Sequence, residues 1–74
     1  HKMKKAFEVK GLDCPHCAAR LEKGINGIDG VDVAVVSFAT GKLVLEADES
    51  VFADVMDKAC ALAKELEPEW EIVR

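Results

Sequence analysis

The residues with the most chemistry sit together in Gly11-Leu12-Asp13-Cys14-Pro15-His16-Cys17. Cysteine acts as the thiolate, both as a metal ligand and as a nucleophile. A spacing of three lets Cys14 and Cys17 turn both sulfurs toward one point. Such a soft pair suits Cu(I), Zn(II), Cd(II) or Hg(II), and it could equally cycle between dithiol and disulfide. The stretch follows a strand-like run and opens a helix-like one. A helix N-terminus presents unpaired N–H groups and the positive end of the dipole, which favours a thiolate there. A thiophilic metal ion is therefore the expected occupant of the turn.

The neighbours bear on which metal. Two thiolates satisfy a linear Cu(I) ion, whereas zinc takes four ligands in a tetrahedron. The Asp13 carboxylate offers a third, harder ligand, and its charge is better offset by a divalent ion than by a monovalent one. The candidate site is thus Asp13, Cys14 and Cys17 around Zn(II) or Cd(II), with Cu(I) as the alternative. A fourth position stays open to water, His16 or a partner's ligand, although His16 is expected to point outward. When ligands are this few, two exposed turns could also share one ion. Cys60 lies at the margin of an apolar helical stripe and is expected to be a small core residue. Met56 fits the core pattern, Met3 a strand edge, and Asp48-Glu49-Ser50 a solvated helix start.

The elements that must hold this turn follow from periodicity. Met3 to Lys10 alternates, with Phe7 and Val9 on the core side. Pro15 suits a first helical position, Cys14 falls at the N-cap, and Cys17, Ala18, Leu21, Ile25 and Ile28 form the apolar stripe. Arg20, Glu22, Lys23 and Asn26 take the wet side, and the helix is expected to end near Asn26 or Gly27. Val31 to Phe38 reads as a second strand, with Val31, Val33 and Val35 opposite Asp32, Ala34 and Val36. Ala39-Thr40-Gly41 turns into a third strand, Lys42 to Ala47. A second helix, capped by Asp48-Glu49-Ser50, carries Val51, Val55, Ala59, Leu62 and Leu66 on one face. Pro68 stops it, and Trp70 to Val73 is a last strand. This order predicts an α+β, ferredoxin-like βαββαβ sandwich, a four-stranded antiparallel sheet with both helices on one face. The first strand-to-helix turn is then exposed at one end.

Totals narrow the function further. The 74 residues make one small domain, 1–74, half of it hydrophobic, enough for a modest core. No apolar run approaches the ~20 residues of a membrane span, and no secretory signal pattern precedes the first strand. The net charge of −4 is spread among scattered basic residues, so nucleic-acid binding has no positive field to rest on. Three cysteines are an odd number, which argues against a closed disulfide framework and for a reducing, cytoplasmic setting. His1 and Lys2 are given no role.

The motif Gly11-Leu12-Asp13-Cys14-Pro15-His16-Cys17-Ala18, with the length and element order, resembles the heavy-metal-associated domain family. That family includes copper chaperones, mercury-binding proteins and amino-terminal domains of metal-transporting P-type ATPases. The resemblance implies that Cys14 and Cys17 are metal ligands. Asp before the first cysteine is similar to the zinc, cadmium and lead ATPase type, since copper members usually carry Thr or Ser there. Leu12 replaces the usual Met, a swap that conserves volume. Glu67-Pro68-Glu69 stands where the family often carries Lys, Tyr or Phe near the metal turn, a loss that speaks against a copper chaperone. The implied function is a non-catalytic domain that binds a divalent ion (Zn, Cd or Pb) and hands it over for a metal-exporting P-type ATPase. It would be cut from a longer transporter, its partners the rest of that chain or another metal-transfer domain. A Cu(I) chaperone or copper-ATPase domain is the alternative. The string Cys14-Pro15-His16-Cys17 also matches the active-site tetrapeptide of periplasmic disulfide oxidases, but the chain is short for their fold and no proline is placed to face the cysteines.

Overall fold

Alternating and helical hydrophobic periods draw the chain into six elements. In the computed structural model of the 74 residues these are β1 (Lys2–Lys10), α1 (Pro15–Asn26), β2 (Val31–Ser37), β3 (Lys42–Asp48), α2 (Phe52–Leu66) and β4 (Glu71–Val73). The sheet order is β2-β3-β1-β4, with every neighbouring pair antiparallel. The two strands joined by α1 are separated by β3, which makes the expected ferredoxin-like arrangement. Leu21 and Ile25 of α1 and Val55, Met56 and Ala59 of α2 are buried with Leu43, Leu45, Ala47 and Ile72 of the sheet. Both helices therefore cover the same face. The sixteen buried residues are all apolar, and no buried side-chain polar atom lacks a partner.

Several boundaries differ from expectation, each for a physical reason. β1 starts one residue early, because Lys2 pairs in register with Asp48 and forms a salt bridge with Asp32. His1 contributes too, its carbonyl accepting from the Glu49 N–H at 2.8 Å. Phe38 leaves β2 for the turn and is 42 % exposed. A bulge at Asp32 shifts the pairing between Val31 and Val33. An extra residue on one strand changes which side chains point inward. Val31, Ala34 and Val36 therefore face the helices, and Val33 and Val35 face water. The expected cap of α2 by Asp48-Glu49-Ser50 does not form. Val51 is the N-cap residue and has no side-chain cap bond, while Asp48 accepts from the Ser50 N–H and hydroxyl within the preceding turn.

Asn26 and Glu22, expected simply on the wet side of α1, have structural work. β2 is an edge strand, and its outer N–H and C=O groups would otherwise be unpaired. The Asn26 amide donates to the Ala34 carbonyl and accepts from its N–H, each at 2.9 Å. The Glu22 carboxylate accepts from the Val36 N–H at 3.0 Å. The helix thus covers the edge it lies against.

Candidate metal site

β1 delivers the chain to the site and Gly11 turns it. Its φ of +86° lies in the left-handed region that side chains resist, and a Cβ there would stand 2.6 Å from the Glu69 carbonyl oxygen. Glycine is required because the turn is pressed against the Glu67–Trp70 loop. Leu12 packs onto the core, fastening the turn from below, and Trp70 beneath that loop is buried.

Cys14 is the N-cap of α1, extended at φ −150°, ψ 148°, and Pro15 occupies the first turn without a wasted N–H. The Cys14 sulfur takes the place of the usual Ser or Asp oxygen, accepting from the Cys17 N–H at 3.1 Å. One turn on, the Cys17 sulfur lies 2.7 Å from it, and the two share a hydrogen bond. The Asp13 carboxylate joins them, so that one ligand atom from each of the three residues lies within 4.8 Å of the others. Asp13 is exposed and the cysteines are half-buried, leaving the trio open to solvent on one side.

The two thiols are driven apart in acidity. The Cys14 thiol is pulled below its usual range, first by the hydrogen bond from the Cys17 side chain and then by the Cys17 and His16 backbone N–H groups. Cys17 is pushed above its usual range, first by that same shared bond, then by burial and the charges of Cys14 and Asp13. Of the two, Cys14 is therefore the readier to lose its proton. In a tetrahedral zinc site, Zn–S bonds of about 2.3 Å set the sulfurs roughly 3.8 Å apart. Holding such an ion would spread the pair by about 1 Å.

The fold does not bring every candidate to this point. His16 is exposed and outside the converging trio. Cys60 is half-buried on α2, free of any disulfide. Burial pushes its thiol up, and the charges acting on it are those of Arg74, Asp57 and Lys64. Met56 is buried in the core and Met3 packs against it. Arg20, expected only on the wet side of α1, also bears on the site. Its charge opposes the upward push on Cys17, and the i, i+3 spacing from Cys17 was the available signal.

The heavy-metal-associated domain model matches residues 6–69. A cadmium, zinc and cobalt-transporting ATPase of Helicobacter felis is 41% identical over 66 residues, 89% of this chain and 9% of the ATPase. The chain therefore spans less than a tenth of that relative. The copper chaperone CopZ of Enterococcus hirae is 42% identical over 48 residues, 65% of this chain and 70% of the chaperone. Among solved structures, the N-terminal domain of a potential copper-translocating P-type ATPase from Bacillus subtilis, in its Cu(I)-loaded state, matches with a TM-score of 0.78. That match is 27% identical and covers 99% of this chain and 86% of that one.

Proposed function

The chain belongs to the heavy-metal-associated domain family, and from that membership we propose that it carries Zn(II), Cd(II) or Pb(II) on Asp13, Cys14 and Cys17. It hands the ion over for a metal-exporting P-type ATPase, either within a longer chain of which it is part or through a partner metal-transfer domain. The domain's own part is binding; a heavy-metal-associated domain catalyses no reaction. The observation that carries the choice of a divalent ion is the position of Asp13, whose carboxylate lies within 4.8 Å of both sulfurs. Two thiolates and a carboxylate hold three negative charges, which a divalent ion offsets better than Cu(I) does. The solvent-open side leaves room for an incoming ligand, so the ion can leave by exchange rather than by dissociation. The ATPase relative supports this reading by its named cargo. No helix is long and apolar enough to cross a membrane; the reading puts the domain on the cytoplasmic side of the transporter it would serve, by analogy with the ATPase and chaperone relatives.

Cadmium-113 NMR of the wild type and of Asp13→Ala tests the ligand set. The expected result is a clear change in the cadmium shift on removing the carboxylate, because oxygen and sulfur donors shield the nucleus differently. An unchanged shift removes Asp13 from the site. The copper reading has its own support in the CopZ relative, which matches over 70% of its length. Competition at buffered free Cu(I) and Zn(II) separates the two by coordination number and by the effect of Asp13→Ala. Only the divalent complex should weaken. Raw tightness does not decide, since copper heads the affinity order at most sites.

A further inference from the structure

The sheet has a second face, turned away from the helices, and its side-chain pattern is ordered. Register places Val35, Val44 and Ala6 in one row across β2, β3 and β1. On one side of that row lie Val33, Glu46 and Lys4; on the other, Ser37, Lys42 and Glu8. Val33 is 40 % and Val35 49 % exposed. The four charges form a checkerboard around an apolar centre: Glu46 beside Lys4, Lys42 beside Glu8. The chain's three salt bridges use none of them.

We propose that this open sheet face docks a second copy of the chain, face to face, about a two-fold axis running across the strands through the Val35–Val44–Ala6 row. Such an axis exchanges the two flanking rows. Glu46 then meets Lys42 of the second copy, Lys4 meets its Glu8, and each pair is formed twice. The central row lies over itself, so both exposed valines of β2 come near apolar neighbours or the small Ser37. A two-fold axis along the strands would also match charges, but it places β2 over β4 and leaves Val33 and Val35 outside the contact. At the periphery Lys2 comes over Lys10 of the second copy. Lys2 is already bridged to Asp32, and packed twisted sheets diverge at their corners. Three strands about 4.8 Å apart and five residues rising about 3.4 Å each cover roughly 250 Å² in projection. The contact is smaller than that of a standard stable dimer, so the association rests on charge complementarity and is weak and concentration-dependent. Gly11 and the cysteine turn follow the Lys10 end of β1, so the two metal turns lie at opposite ends of the dimer and both stay free.

Sedimentation equilibrium of the chain in chelator, from micromolar to about 1 mM, reads the association directly. Wild type is expected to show a monomer–dimer equilibrium that persists without metal and in the Cys14→Ala/Cys17→Ala variant. Lys42→Glu alone sets Glu against Glu46 of the second copy, and Glu46→Lys alone sets Lys against Lys42. Each should dimerise at least roughly tenfold more weakly. An equimolar mixture of the two variants restores opposite charges at both contacts, and a heterodimer should return at wild-type strength or better. A wild type that stays monomeric throughout overturns the proposal. So does a dimer that needs metal or the cysteines, since that would be an ion shared between turns. A mixture that fails to associate overturns the stated axis.

Discussion

Cys14 and Cys17 differ in position by one helical turn and in acidity by their partners. Cys14 receives hydrogen bonds that pull its thiol below the ordinary range, whereas Cys17 is held above it by the shared bond and burial. A protonated thiol does not ligate, so metal uptake on the proposed site must release the Cys17 proton. The sign follows: apparent Cd(II) affinity rises with pH up to the raised Cys17 value, by up to about tenfold per unit for one proton released, and levels above it. A chelator competition series from pH 6 to 9 reads the slope, and a flat profile would mean that both sulfurs were already unprotonated. Arg20→Ala removes the cation that favours the Cys17 thiolate. Affinity should fall roughly threefold at pH 7 and converge with wild type at the alkaline end. A loss that persists at high pH would point to damage of the turn instead.

The turn is only as good as the elements that clamp it. Gly11 has two reasons to be glycine, a positive φ and a backbone oxygen where its Cβ would be. Gly11→Ala should cost at least about 1–2 kcal/mol of urea stability and weaken metal binding, because the Glu67–Trp70 loop must move. Equal urea midpoints would show that the loop yields freely. On the opposite edge of the sheet, Asn26→Ala strips the Ala34 N–H and C=O of their partners. Water can reach this edge, so the expected cost is about 1–2 kcal/mol. Faster amide exchange confined to β2 would mark the loss as local. Uniform acceleration would instead make Asn26 a determinant of global stability.

At the scale of the molecule, stability is thin. A chain of this size has on the order of 4–10 kcal/mol in total, held by one apolar core. Leu45 is fully buried on the central strand β3, and Leu45→Ala should cost about 2–5 kcal/mol, a large share of the whole. Metal is part of that balance. Free Cd(II) at 100 times its dissociation constant should return about 2.7 kcal/mol, seen as a higher thermal midpoint, and Cys17→Ala should erase the gain. A midpoint indifferent to Cd(II) would mean that binding does not discriminate the folded chain from the unfolded one.

Sequence alone determined the six elements, their order and the sandwich they make, because periodicity and Gly/Pro punctuation are local properties. It also brought Cys14 and Cys17 together, since a spacing of three at a helix start leaves little geometric choice. The rest depended on contacts distant in sequence. Which face of Val31–Ser37 turns inward was decided by a bulge at Asp32, a matter of pairing with β3 that alternation cannot show. Asn26 and Glu22 look like ordinary wet-face residues until an edge strand lies beside them. The absent cap on α2 and the return of Asp48 to its own turn reflect how β3 enters the helix. Gly11 is pressed against the Glu67–Trp70 loop nearly sixty residues later, a contact that no local pattern announces. Ligand type is written in the residues, but ligand geometry is set by whatever the fold puts behind them.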